Sequence, residues 1–127
     1  NNVFFPGWID RDKIKTLANI SIASIAPYKN IENYLINVPN KIVDSLILGV
    51  PIITPLKGEV KKLIDTHSVG LSYDDGVGLS QSIEKLLNSN DLREALSNNA
   101  KELYEKEFEF HKVYNDMVNH LESLVKK

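Results

Sequence analysis

The sequence contains no cysteine, which excludes disulfides, thiol nucleophiles and cysteine-ligated metals. That is compatible with a reducing compartment without establishing one. No apolar run approaches the roughly 20 residues that a membrane span requires. Neither sign of charge dominates: 15 Lys and Arg stand against 17 Asp and Glu, for a net charge of -2. No basic block stands out, so no nucleic-acid partner is expected. The three histidines, His67, His111 and His120, lack metal-binding spacing, and no metal is expected. There is no Gly-x-Ser-x-Gly elbow to support a serine hydrolase. Gly76-Val77-Gly78 lies late and lacks the third glycine of a dinucleotide fingerprint. Position 1 is not Met and the chain opens almost directly on an apolar segment, so it reads as a piece of a longer protein.

What is present describes one globular domain. The chain has 127 residues, 43% hydrophobic and 25% charged, enough for a real core. Val3-Phe4-Phe5 reads as a strand stopped by Pro6-Gly7. Asp10 can cap a helix with Ile14, Leu17 and Ala18 on one side. Residues 20–26 alternate isoleucine with small residues and read as a second strand ending at Pro27. Tyr28 to Val38 is polar and aperiodic, a long loop of the kind that is usually functional. Pro39 to Leu48 is strongly apolar and reads as a buried helix, with Pro39 at its first position and Gly49 at its stop. Residues 51–54 form a third strand, Glu59 to Thr66 a short helix, and residues 69–73 a fourth strand closed by the turn Asp74-Asp75-Gly76. From Leu79 the chain is helical, with Asp91 able to cap one helix. Val113, Met117, Leu121 and Leu124 mark the last one. Strands alternating with helices imply an α/β fold: a parallel sheet with helices on both faces and right-handed crossovers.

In open α/β sheets ligands bind beyond the carboxyl ends of the strands. The long loop after Pro27 leads there into a helix carrying Asn40, Lys41 and Asp44 within its first turn and a half. Spacings of three and four put these residues toward one side. Free amide groups and the dipole make such an end an anion site, and a lysine adds charge. A carboxylate slightly deeper can accept hydrogen bonds from a sugar diol, so the set suits a nucleotide diphosphate. The plain alternative is that Asn40 caps, Lys41 is solvated and Asp44 complements the dipole. Trp8 can stack on a base or plug the core. Lys57, Lys61 and Lys62 read as a solvated face, His120 as a packing residue, and Lys126-Lys127 as an ordinary chain end.

Residues 38–54, Val-Pro-Asn-Lys-Ile-Val-Asp-Ser-Leu-Ile-Leu-Gly-Val-Pro-Ile-Ile-Thr, resemble the donor-site segment of GT-B fold retaining glycosyltransferases of the family-four type. The start matches the Pro-Asn-Lys variant found in bacterial polysaccharide enzymes. Val3 to Gly7 resembles that family's Val-x-Phe-x-Gly strand and turn. Gly70-Leu71-Ser72-Tyr73 resembles its Gly-Leu-Val strand, and Asn98-Asn99-Ala100 with Phe108 its late helices.

The resemblance implies a Rossmann-like GT-B C-terminal domain over residues 1–127, truncated at its start, that binds a nucleoside diphosphate sugar. It implies donor contacts at Gly7, Trp8, Val38, Pro39, Asn40, Lys41 and Asp44, and no metal or other cofactor. Asp44 falls where the family places the second acid of its Glu-x(7)-Glu motif, which usually binds the ribose. The first acid falls at Ile36 and is absent, and Glu32 is out of register. The acceptor, a saccharide or a lipid-linked saccharide, would meet an N-terminal domain missing from this chain. A hexosyltransferase of surface polysaccharide synthesis, cytoplasmic or at the inner face of the membrane, is what the resemblance implies, with the fragment inactive alone. Two other readings stand beside it: a GT-B nucleotide-sugar epimerase, for which no acid–base pair is evident, and a non-enzymatic α/β module, which lacks its acidic cluster. The resemblance also implies two strands before this segment, whose loss would expose a sheet edge, so a symmetric homodimer through that edge or the last helix is expected, with a monomer whose last helix folds back over the gap as the alternative.

Overall fold

The computed structural model describes residues 2–125. Asn1 and the Lys126-Lys127 end lie outside the described residues. The order of elements is α1 (Arg11–Ile20), β1 (Ser24–Ile25), α2 (Glu32–Leu35), α3 (Asn40–Leu48), β2 (Ile52–Thr54), α4 (Gly58–His67), β3 (Gly70–Ser72), α5 (Gly76–Asn88) and α6 (Asn90–Leu103). A π-helical turn, Tyr104–Phe108, then leads into α7 (Phe110–Val125).

The three strands form a parallel sheet in the order β1-β2-β3. Ser24 stands opposite Ile52 and Ile25 opposite Ile53; Ile52, Ile53 and Thr54 in turn face Gly70, Leu71 and Ser72. All three residues of β2 are buried, as a central parallel strand covered on both faces must be. Successive side chains point to opposite faces. Ile52 therefore joins Ile42 and Leu46 of α3, Val60 and Ile64 of α4, and Ala100 and Leu103 of α6. Ile53 joins Leu86 of α5 and Leu96 of α6 on the other side, with Leu79 and Ile83 packed against them. Helices on both faces of a parallel sheet are thus present, in the Rossmann-like arrangement.

Several expected elements differ. Val3 to Pro6 is not a strand; Val3, Phe4 and Phe5 are all exposed, the two phenylalanines at 85% and 88%. A strand is stabilised by its ladder and its packing, and β1 pairs with β2 alone among the described strands. The run 20–26 is shorter as a strand than its alternation suggests, because α1 continues to Ile20. The long loop contains the short helix α2. Pro39 sits at the N-cap of α3 rather than in its first turn, so Asn40 is not the cap. Ser89, not Asp91, caps α6: its hydroxyl accepts from the Leu92 amide at 3.1 Å.

Other signals hold. The Asp10 carboxylate accepts from the Lys13 amide at 2.9 Å. Gly49 ends α3 in the left-handed region, and the Gly49 and Val50 amides return to Leu46 and Ser45 carbonyls. Among the described residues no helix is long and apolar enough to cross a membrane.

Candidate functional site

Because the strands are parallel, their carboxyl ends share one rim, and three polar links knit it together. Thr54, fully buried, donates to the Ala26 carbonyl at 2.7 Å and accepts from the Leu56 amide at 3.3 Å. Asn30 uses both ends of its amide: it donates to the Pro55 carbonyl at 2.9 Å and accepts from the Lys57 amide at 2.7 Å. Lys57 pairs with Asp74 across the mouths of β2 and β3. The Lys57 ammonium, by hydrogen bond and then by charge, holds the Asp74 carboxyl below its ordinary value. Gly58 starts α4 at φ +62°, and a Cβ there would run into the Leu35 carbonyl of α2. Only glycine meets both conditions, so this position seats the long loop on α4.

The Asn40–Leu48 helix presents its first turn beside that rim. No side chain caps it, which leaves its first amide groups for solvent or a ligand. Lys41 and Asp44 are exposed and together line a groove of about 360 Å³. Ile14 and Ala18 of α1, Ser21, Ala23, Ser24, Ser45, Leu48 and Val50 complete its walls. Apolar and polar side chains thus line it together, with Lys41, Asp44 and Ser45 from α3 and Ser21 and Ser24 from the α1–β1 side. Asp44 makes no hydrogen bond or ion pair among the described residues, so its carboxylate oxygens are open to hydroxyl donors.

The remaining expected contacts lie elsewhere. Gly7 has φ +71° with open space around it, and Trp8 is 89% exposed, so Trp8 is no core plug. Neither lines the groove. Val38 is half-buried and packs against the Ile42 cluster, while Pro39 and Asn40 form the helix entry. Ile36 is exposed, with no acid in its place. Sequence reasoning missed the α1 wall of the groove and the Asn30 clamp. Ile14 and Ala18 carried only a helix-face signal, and Asn30 lay in an aperiodic loop.

The lysine cluster is more ordered than a merely solvated face. Lys61 bonds Asp65 at 2.5 Å and Lys62 bonds Glu59 at 2.5 Å, besides the Lys57–Asp74 pair. His120 is exposed rather than packed. Among the described residues no group of three His, Asp or Glu side chains is placed to hold a metal ion.

A three-stranded parallel sheet with helices on both faces, in the order β1-β2-β3, defines a Rossmann-like α/β domain. The family model described as "Glycosyl transferases group 1" matches residues 1–103. The chain belongs to that family, whose chemistry is glycosyl transfer. No curated protein and no solved structure matches the chain. The family match stops at the end of α6, so the π turn and α7 lie beyond it.

Proposed function

We propose that this chain is the donor-binding domain of a retaining, family-four type hexosyltransferase. It holds a nucleoside diphosphate sugar while a saccharide or lipid-linked acceptor is presented by chain outside these 127 residues. The observation that carries the reading is Asp44: an exposed carboxylate, unpaired among the described residues, one turn into α3, sharing a groove with Lys41, within the segment 1–103 that matches the family. In this reading Asp44 accepts hydrogen bonds from the ribose diol. Lys41 and the uncapped amide groups of α3 face the diphosphate. Such fixed donors stabilise the negative charge that builds on the leaving diphosphate during transfer. Pro39 and Asn40, at the entry of α3, complete the proposed donor contacts. Synthesis of a surface polysaccharide at the cytoplasmic side of a membrane is the setting that fits the Pro-Asn-Lys motif.

Titration calorimetry of the full chain with UDP, GDP, ADP and CDP in turn tests the proposal. One of them binds, and Asp44→Ala weakens it by about 1–3 kcal/mol through lost hydrogen bonds to a charged group. Unchanged affinity in Asp44→Ala removes Asp44 from the site. Failure of all four nucleotides to bind the unmodified chain overturns the donor-binding reading.

A further inference from the structure

The loop from Tyr28 to Val38 delivers the chain to α3, and the turn between β2 and α4, Pro55 to Gly58, grips it at two points. At the first, the Asn30 side chain donates to the Pro55 carbonyl and accepts from the Lys57 amide. At the second, a Cβ on Gly58 would collide with the Leu35 carbonyl of α2, so the two backbones lie against each other. The turn itself is fixed, because Leu56 is fully buried and its amide donates to the buried Thr54 hydroxyl. Between the two grips the Tyr28 and Tyr34 rings meet at 4.9 Å, and both pack against the core. Val38 joins the same core before Pro39 opens the helix. The loop is therefore a strut from the turn to the α3 entry rather than a free tether.

Asn30 is exposed, and water is at hand to satisfy its amide. It bonds instead to two backbone groups 25 and 27 residues away in the chain. The Pro55 carbonyl only accepts and the Lys57 amide only donates, so the position calls for a side chain that does both at once. Asparagine meets this in one planar group. At the other end of the strut, Pro39 has no N–H, and the first amide of α3 to find a carbonyl is that of Ile42, which returns to Pro39 at 2.9 Å. The Asn40 and Lys41 amides precede that bond, and the loop sets where they point. We propose that Asn30 is the positioning residue of the donor site, holding the Asn40 and Lys41 amides toward a bound diphosphate. The inference rests on the donor-binding reading given above.

Titration calorimetry of the full chain with UDP, GDP, ADP and CDP compares the unmodified protein with Asn30→Ala and Asn30→Asp, circular dichroism confirming that each is folded. At neutral pH both variants bind the selected nucleotide about tenfold more weakly, the scale of one or two lost hydrogen bonds. An ionised carboxylate at position 30 cannot donate to the Pro55 carbonyl, whereas the protonated acid restores both bonds. Toward about pH 4.5, Asn30→Asp therefore regains affinity relative to the unmodified chain, and Asn30→Ala does not. Lys29 and Glu32 flank the site in the loop, and Lys57 and its partner Asp74 lie on the turn side. All four are common to the three proteins, so the comparison at each pH cancels their titration. Amide NMR reads the strut without ligand: the Asn40 and Lys41 resonances shift in both variants and return in Asn30→Asp with acid. Undiminished binding by Asn30→Ala overturns this role alone and leaves the donor-binding reading standing. Failure of all four nucleotides to bind the unmodified chain overturns that reading and this role with it. Asn30→Asp that stays weak in acid overturns the two-bond clamp, and Asn40 and Lys41 resonances that ignore both variants overturn transmission through the loop.

Discussion

Asp74 is the residue whose environment is most directly testable. The Lys57 ammonium favours its ionised form in the folded state, so its pKa is depressed there. The stability it contributes is present above the ordinary carboxylate range and is lost as pH falls from about 4 through the lower folded value. Asp10 and Glu109 are depressed in the same direction for a different reason: each accepts a backbone amide at a helix entry, from Lys13 and Lys112 respectively. Carbon-detected NMR titration separates the causes. In Lys57→Met, Asp74 titrates higher than in the unmodified protein, while Asp10 and Glu109 keep their values. Movement of all three together would mean that the pair is not the cause.

Helix entries show how composition and local geometry compete. The sequence pattern points to Asp91 as the cap of α6, yet Ser89 is the residue that caps it. The chain turns directly from α5 into α6 at Ser89, whose extended backbone aims its hydroxyl at the Leu92 amide. Asp91 then falls inside the first turn, where its charge meets the helix dipole. Thermal and denaturant unfolding distinguish them. Ser89→Ala costs about 1 kcal/mol, whereas Asp91→Ala stays within about 0.5 kcal/mol. Equal losses would return the cap to Asp91. Elements with a strong apolar period and a glycine stop, such as α3 with Gly49, were legible from the sequence. The first segment, Val3 to Phe5, was not, because β-propensity records a fit to neighbours rather than a preference of the backbone itself.

At the scale of the whole molecule, folding and association are linked if the exposed sheet edge pairs with a second copy of the chain. Anything bound by the native state alone raises the melting temperature with concentration. For a cooperative dimer of this size, a tenfold rise in chain concentration lifts the midpoint by about 3 °C. Differential scanning calorimetry over two decades of concentration measures this, and a flat midpoint belongs to a monomer. Among the described residues the outer edges of β1 and β3 are unpaired, that of β1 flanked by the exposed Ile25. A bare parallel edge is a place where a strand could be added.

Taken alone, the sequence determined the class of the fold, the central strand, the helix from Asn40 to Leu48 with its stop, and the Pro-Asn-Lys-to-Asp44 segment that carries the family resemblance. Those are local quantities: a run of apolar residues, a turn residue, a spacing of three or four. Tertiary structure alone decided that Asp44 and Lys41 face a groove walled by Ile14 and Ala18, and that Asn30 clamps the Pro55–Lys57 turn. It also decided that Lys57 answers Asp74, and that Trp8 stands in the open. Each of these depends on which segments far apart in the chain meet across the sheet. A hydrogen bond donated by the amide of residue 57 to the side chain of residue 30 leaves no periodic trace in the sequence. It exists because parallel strands bring their carboxyl ends to one rim.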